Sequence, residues 1–344
     1  MASLGALKRS MALTLILIFG MLFFLLVVIS TLLQWYMAGT FIPFWFQIIV
    51  IIFITILFVL LQWAISPSVI RWSSKLRYLR AGENPFLENT VRELCQKSGV
   101  PMPKLAISPD RTPNAFVFGR SKSSATLAVH VGLLEQLDKD EIRGVLAHEV
   151  GHIKHNDMTI MTVVSVVPLL AYMMARSVFY ARGGGKKGGA AIIVAAVIGF
   201  VVYVVSQLMI LRLSRQREYF ADAFSAVATN DPHSLSSALA KITYGLSLSK
   251  ENPGPARSFY IGDPLTAKRE IGAIMQNRHK YDLDGDGVLD EKELMLAMEE
   301  EAKRRRHSEI RSTHPSTFKR IQNLKEMEKD LKHGGMSADI YKRI

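Results

Sequence analysis

The feature that most constrains the fold is an uncharged stretch near the N-terminus. From Ser10 to Ile70 the sequence contains no charged residue and no histidine. A membrane-spanning helix needs about 20 apolar residues, so this stretch can supply two spans. A polar break at residues 34–43 divides it, which predicts a helical hairpin with a short loop. Aromatic residues typical of membrane interfaces lie near the predicted ends: Trp35, Tyr36, Trp45 and Trp63. A cleaved signal peptide is the alternative for the first span, but the second span that follows at once disfavours it.

The charges around this hairpin predict its orientation. Lys8 and Arg9 precede it, and four further cations follow it, at positions 71, 75, 77 and 80. The loop between the spans is uncharged, so the positive-inside rule places both ends in the cytoplasm. Cys95 is the only cysteine, which excludes an intramolecular disulfide framework. The net charge of +12 favours attraction to an anionic membrane surface, and we expect no nucleic-acid partner.

Two more apolar runs, residues 158–175 and 190–211, bring the expected number of apolar helices to about four. The second run is long enough to span a bilayer, and the first is marginal. Their predicted connecting loop carries four cations, at positions 176, 182, 186 and 187, which opposes an external location. Whether these runs cross the bilayer or dip into it stays open. If a metal ligand follows the second run, either both runs cross or neither does.

The segment between the two pairs of apolar runs predicts a small α+β body. Residues 84–97 have a helical pattern closed by Gly99, and Asp138 with Glu141 forms a capping-box pattern that opens a helix to about residue 156. Short strands are predicted at residues 104–108, 115–119 and 125–131. The predicted fold class is therefore α+β: a mostly helical integral-membrane protein with a small β-sheet.

The second of these helices contains the motif H-E-x-x-H. His148 and His152 are one turn apart on one helix face, so both imidazoles can reach one zinc ion. Glu149 is then placed as a general base for hydrolysis. The alternative interpretation is a plain pair of histidines on a polar helix face.

A hydrolytic zinc site usually has three protein ligands and one open position. The metzincin pattern requires Gly at position 155 and His at position 158, and this chain has His155 and Met158. The remaining common choice is a glutamate on a downstream helix, which Glu218 supplies. Asp222, one turn later, can hydrogen-bond a ligating imidazole. Taken alone, E-x-x-x-D is more typical of a solvated helix face.

At this point the chain resembles the M48 family of membrane zinc metalloproteases, and most closely the HtpX heat-shock protease group. The resemblance covers most of residues 1–260 together with residues 312–325. Its matching residues are Pro113–Phe116, His148–His152, Asp157, Ser214–Glu218, Ala221–Ala223 and Thr313–Pro315.

The resemblance implies a gluzincin-type endopeptidase of the inner cell membrane, multi-pass, with its active site facing the cytoplasm. Its partners would be protein substrates, chiefly misfolded or damaged membrane proteins, and the lipid bilayer. His148, His152 and Glu218 would bind zinc and Glu149 would be the base. Asn114 and Ala115 would lie on an edge strand that pairs with the substrate backbone. The alternative for Asn114 is a turn residue after Pro113.

We predict different roles for two further histidines, His314 and His155. His314 precedes a proline, as in some relatives of this family, and our hypothesis is that it approaches the open coordination position and gates it. A surface histidine before a helix is the alternative. His155 is expected to be structural.

A second metal motif lies outside the family pattern. The twelve residues from Asp282 to Glu293 match an EF-hand loop at every position. The predicted Ca²⁺ ligands are Asp282, Asp284, Asp286, the backbone carbonyl of Val288, Asp290 and Glu293. Helical patterns at residues 266–281 and 291–306 flank the loop. A plain acidic turn is the alternative. Because EF-hands usually pair, a homo-oligomer is one way for a single hand to find its partner.

These observations predict six segments. They are the hairpin (1–70), the first part of the protease domain (71–157), the third and fourth apolar segments (158–211), the second part of the protease domain (212–260), the calcium module (264–307) and the C-terminal segment (308–344). Two other functions remain open: a membrane-anchored calcium-binding regulator with an inactive zinc site, and a small transporter. The spans lack the intramembrane charges typical of transporters.

Overall fold

A computed structural model describes residues 4–36, 43–180, 186–248, 260–287, 289–304, 312 and 314–332. Val288, Arg182 and most of the predicted hairpin loop lie outside the described residues. The helices are α1 (Leu4–Tyr36), α2 (Phe44–Ser73), α3 (Pro85–Ser98), α4 (Val131–Gln136), α5 (Lys139–Lys154), α6 (Asp157–Val164), α7 (Val166–Tyr180), α8 (Lys186–Thr229), α9 (Pro232–Leu248), α10 (Pro264–Gln276), α11 (Glu291–Arg304) and α12 (Thr317–Lys332). The strands are β1 (Arg77–Tyr78), β2 (Lys104–Ser108), β3 (Ala115–Phe118) and β4 (Thr126–His130).

The predicted mixture of many helices and one small sheet is confirmed. The sheet has the order β1-β2-β4-β3, in which β2 and β4 are parallel and the two outer strands are antiparallel to their neighbours. The three predicted strands are present to within a residue at each end. Strand β1 was not predicted, because two residues are too few to show an alternating pattern.

Local capping fixes the helices that carry and flank the site. The Asn84 side chain accepts a hydrogen bond from the Leu87 backbone N–H, and Gly99 ends α3 in the left-handed conformation. Asp138 caps α5 by accepting from the N–H groups of Asp140 and Glu141, and the Glu141 side chain returns a bond to the Asp138 N–H. Helix α5 therefore begins at the predicted residue and contains the whole H-E-x-x-H motif.

The chain divides into two compact units. One contains Pro67–Met158 and Ser214–Ile344, and the other contains Lys8–Ser66 and Thr159–Leu213. In the first unit, one hydrophobic core joins α3, α5, α9 and the inner face of the sheet. Helices α10, α11 and α12 add Ile271, Ile274, Met298 and Leu324 to the same core. The segment that carries the EF-hand motif is thus packed into this unit.

The second unit is built from apolar helices. Within the described residues, three helical segments are long and apolar enough to cross a membrane. They are Trp45–Ser73, Asp157–Arg176 and Ile193–Thr229. The apolar stretch in α1, Ala12–Val28, is shorter. Large apolar side chains on these helices are exposed, as a lipid environment requires; examples are Phe23, Phe53 and Phe200.

Polar contacts between side chains also join helices of this unit. The Ser30 hydroxyl donates to Gln47 Oε1 over 2.8 Å, and Gln62 Nε2 donates to Ser165 Oγ over 2.7 Å. The run at 158–175 was predicted as one helix, but Ser165 separates α6 from α7. The prediction that Arg176, Lys186 and Lys187 lie in a loop was wrong, because Arg176 belongs to α7 and the two lysines begin α8.

Candidate active site

Helix α5 brings the two motif histidines together. The Nε2 atoms of His148 and His152 are 3.1 Å apart, and their rings are nearly perpendicular with centroids 4.7 Å apart. His148 is fully buried. Two imidazole nitrogens therefore point to one position from the same helix face, as the spacing predicts.

A glycine in the motif allows α8 to approach α5 closely. A Cβ atom at Gly151 would lie 3.0 Å from Phe224 Cδ1 and 3.2 Å from Ala221 Cα. Both neighbours are on α8, three and six residues beyond Glu218. The close approach brings Glu218 to the histidines: its carboxylate lies 3.5 Å from His148 Nε2 and 3.6 Å from His152 Nε2.

The geometry of this group fits a zinc ion. Two nitrogens bound at about 2.05 Å to a tetrahedral zinc would lie about 3.3 Å apart, and the observed separation is 3.1 Å. One ligand atom from each of His148, His152 and Glu218 lies within 4.8 Å of the others. Glu218 is 6% exposed, and its buried Oε2 forms no hydrogen bond within the described residues, although Arg320 Nη1 lies 3.3 Å from it. Two histidines and a carboxylate are also a common donor set of hydrolytic zinc sites.

Two aspartates contact the outer nitrogens of the imidazoles. Asp222 Oδ1 lies 2.9 Å from His148 Nδ1, and Asp157 Oδ2 lies 2.6 Å from His152 Nδ1. Such contacts fix the ring orientation and leave the Nε2 atoms to face a metal. The contact of Asp222 agrees with its predicted position. Sequence reasoning gave Asp157 no role, although it is part of the matching motif.

A buried arginine from α12 completes the charge balance. Arg320 Nη2 donates to Asp222 Oδ1 over 2.7 Å, and its Nε donates to Asp222 Oδ2 over 2.8 Å. Arg320 Nη1 lies 3.3 Å from Glu218 Oε2. Arg217 forms a second buried ion pair with Asp157. Each cation offsets the cost of burying an aspartate, and neither was predicted, because their partners are distant in sequence.

The burial of the site changes the proton affinity of its groups. Burial raises the pKa of Glu149 to about 7, although the neighbouring histidines oppose this shift. Burial alone would lower the pKa of His148, but the carboxylates of Asp222 and Glu218 outweigh it and raise the pKa to about 9. A carboxyl group whose pKa lies close to neutral pH can both accept and return a proton.

The other two histidines occupy distinct places. His314 is 2% exposed, and its Nε2 lies 3.8 Å from Glu218 Oε1. Burial lowers the pKa of His314, although the nearby Glu218 carboxylate opposes this shift. His155 packs against Phe220 and Phe224, with ring centroids 5.5 Å and 6.2 Å away. Burial lowers the pKa of His155 to about 4, in keeping with a structural position.

The predicted substrate strand is the outer strand of the sheet. Ala115 begins β3, which pairs with β4 and ends the strand order among the described residues. The Asn114 side chain is directed inward, where its Oδ1 accepts a hydrogen bond from the Ile261 N–H over 3.0 Å. Arg320 in turn donates a hydrogen bond to the backbone carbonyl of Ile261. Asn114 is thus linked to the site through Ile261.

The structure brings together only part of the predicted calcium ligands. Carboxylate oxygens of Asp282, Asp284 and Glu293 lie within 4.8 Å of one another. Asp286 and Asp290 lie in the same loop but are not part of this group.

Comparison with known proteins places the chain in a family. The model of peptidase family M48 matches residues 81–328. The chain belongs to peptidase family M48. It is 35% identical over 243 residues to a protease HtpX homolog of Methanothermobacter thermautotrophicus, covering 70% of this chain and 87% of that protein. A second protease HtpX homolog, from Methanosarcina mazei, is 31% identical over 288 residues, covering 83% and 86%.

Membership of family M48 confirms the resemblance seen in the sequence and the prediction of a metalloprotease. The matched range includes the H-E-x-x-H helix, Glu218 and Arg320. Among solved structures, the crystal structure of S. mikatae Ste24p matches with a TM-score of 0.46 and 22% identity. That match covers 77% of this chain and 66% of that chain, slightly less than two thirds of its length. The family and the three long apolar helices together support a membrane protease.

Proposed function

We propose that the protein is a zinc-dependent endopeptidase of the cell membrane. The observation that carries the proposal is the convergence of His148 Nε2, His152 Nε2 and the Glu218 carboxylate within 4.8 Å. Glu149 follows His148 directly in α5 and interacts electrostatically with all three residues. The donor set and its spacing are those of a hydrolytic zinc site with an open position.

In this proposal, the side chains of the protein divide the chemistry between them. His148, His152 and Glu218 hold the zinc ion, which supplies a Lewis acid when bound. Glu149 takes a proton from the attacking water and returns it to the leaving amine, a role suited to a carboxyl group with a pKa near 7. Asp222 and Asp157 contact Nδ1 of the two imidazoles and so hold each ring with its Nε2 facing the metal position.

Substrate binding is assigned to strand β3. A peptide that adds to the outer edge at Ala115 gains main-chain hydrogen bonds, which suits a protease with loose sequence preference. The link from Asn114 through Ile261 to Arg320 ties this strand to the zinc ligands. We further propose that the substrates are misfolded or damaged membrane proteins, and that the site faces the cytoplasm of the inner membrane, because of the charges that flank the hairpin.

The test is metal analysis together with proteolysis on the purified full chain in detergent. Glu218→Ala should lose zinc and activity, because two imidazoles alone bind zinc weakly. Glu149→Gln should keep one zinc per chain and lose casein cleavage by at least about 100-fold, as expected for loss of a general base. Glu135→Gln makes the same change at an exposed position and should behave as wild type.

Residual cleavage by a pure Glu149→Gln preparation at the wild-type rate would contradict the assignment. Zinc bound equally well by Glu218→Ala would contradict the ligand set. The alternative of a calcium-binding regulator with an inactive zinc site predicts no cleavage by wild type, and the presence of Glu149 beside the three ligands disfavours it. Calcium binding would involve different residues, those of the Asp282–Glu293 loop.

A further inference from the structure

The loop between α10 and α11 presents three carboxylates to one point. Oxygen atoms of Asp282, Asp284 and Glu293 lie within 4.8 Å of one another. These are positions 1, 3 and 12 of an EF-hand loop, the positions that supply two single carboxylate ligands and the bidentate glutamate. Gly287, at position 6, has φ +80°, the left-handed conformation that an invariant glycine supplies there. The loop matches the motif in sequence, and three of its carboxylate ligands converge.

Glu293 provides an observation independent of the sequence motif. Its side chain is only 4% exposed, whereas Asp284, Asp286 and Asp290 are exposed. Its two oxygens accept hydrogen bonds from the Leu283 and Asp290 backbone N–H groups. It forms no ion pair with any Lys, Arg or His in the described part of the chain. A buried carboxylate normally has a cationic partner, and Glu293 instead faces two further carboxylates.

The surroundings of the loop tie the group to the protein body. Tyr281, directly before the loop, is 1% exposed, and Leu294, directly after Glu293, is 7% exposed. Both belong to the core that also contains Phe318 and Leu324 of α12. Helix α12 carries Arg320, which pairs with Asp222 and lies near Glu218. A cation in the loop would therefore stabilise helices that are part of the same unit as the zinc ligands.

We propose that Asp282, Asp284 and Glu293 form a calcium site that fixes α10 and α11 in the hydrophobic core of this unit. The motif adds Asp286 and Asp290, at positions 5 and 9, as further ligands; both are exposed and lie outside the converging group. Calcium is the favoured ion because it accepts many oxygen ligands in a flexible geometry, whereas magnesium requires a near-ideal octahedron. The proposal goes beyond the protease function and does not depend on it.

Calcium binding can be measured directly on the full chain. The protein is prepared in detergent with Glu149→Gln, which prevents self-cleavage, and equilibrium dialysis follows radioactive Ca²⁺ uptake. We expect one saturable Ca²⁺ per chain, with a Kd in the range of about 10⁻⁷ to 10⁻³ M. Equimolar Mg²⁺ should not displace it, and Ca²⁺ should raise the thermal unfolding midpoint.

Two variants and a control locate the site. Glu293→Gln and Asp284→Asn should each weaken Ca²⁺ binding by at least tenfold and abolish the rise in the unfolding midpoint. Glu135→Gln, at an exposed position outside the loop, should bind as wild type. Asp284 is exposed, so its variant reports on binding even if Glu293→Gln fails to fold. Absence of saturable uptake at millimolar Ca²⁺, uptake unchanged in Asp284→Asn, or equal displacement by Mg²⁺ would each overturn the proposal.

Discussion

At the scale of single residues, His314 is the group whose position suggests control of the zinc site. It is buried, and its Nε2 lies 3.8 Å from Glu218 Oε1, beside the proposed zinc ligands. If it gates the open coordination position, His314→Ala should keep zinc and raise the basal rate of casein cleavage severalfold. His279→Ala removes an exposed histidine and serves as the control. The hypothesis fails if both the cleavage rate and the zinc content of His314→Ala equal those of wild type.

The position of Asp222 predicts that this residue strengthens zinc binding. Its carboxylate lies 2.9 Å from His148 Nδ1 and is itself held by two bonds from Arg320. Asp222→Asn keeps the shape of the side chain but removes the charge that fixes the imidazole. We expect zinc affinity to fall about 10- to 100-fold, measured by competition with a zinc indicator at constant pH. Glu135→Gln, which also neutralises one carboxylate but at an exposed position, should leave zinc affinity unchanged. An unchanged zinc affinity in Asp222→Asn would show that Asp222 does not support the zinc ligands.

Sequence alone predicted the residues that lie in regular patterns and missed those that depend on tertiary contacts. His148, Glu149 and His152 follow helical spacing, and Glu218 followed from the number of ligands that zinc requires. Arg320 had no such signal: its partner Asp222 is 98 residues away in the chain. A buried aspartate requires a cationic partner, but the sequence does not indicate which arginine or lysine that partner is.

At the scale of elements, the predictions succeeded where capping chemistry marks a boundary. Helices α3 and α5 begin at Asn84 and Asp138 as their N-cap residues, and the strands follow their turn residues. The division between α6 and α7 at Ser165 was not predicted, because the hydropathy of residues 158–175 is continuous across it. The Ser165 hydroxyl bonds to Gln62 and to the Thr162 carbonyl, contacts that hydropathy does not report.

The close approach of α5 and α8 can be tested by a pair of glycine variants. A Cβ at Gly151 would press on Ala221 and Phe224 of α8, whereas a Cβ at Gly272 in α10 meets nothing within 4 Å. Both changes gain helix propensity equally, so their difference isolates the contact. We expect Gly151→Ala to be less stable than Gly272→Ala by about 1–3 kcal/mol, measured by chemical unfolding in detergent. Gly151→Ala should also bind zinc more weakly, since α8 carries Glu218; equal stability of the two variants would show that α8 tolerates the methyl group.

At the scale of the whole molecule, the distribution of charge predicts which side of the membrane each end of the hairpin faces. Cations precede and follow the uncharged stretch, and the loop within it has none. The prediction can be tested in a Cys95→Ala background with a single new cysteine and a membrane-impermeant maleimide. Glu135→Cys, at an exposed position of the unit with the zinc ligands, should be labelled in inside-out vesicles. Ala38→Cys, in the predicted loop between the first two spans, should be labelled in right-side-out vesicles.

Each cysteine serves as the control for the other, because the two should respond oppositely to the orientation of the vesicles. Permeabilising either preparation should expose both positions, which checks that each cysteine is reactive. Labelling of Glu135→Cys from the outer face would contradict the cytoplasmic site and would leave the cations after the hairpin on the side that the positive-inside rule disfavours. The substrates available to the protease would then be those outside the cell membrane, so this measurement decides which proteins the proposed endopeptidase can reach.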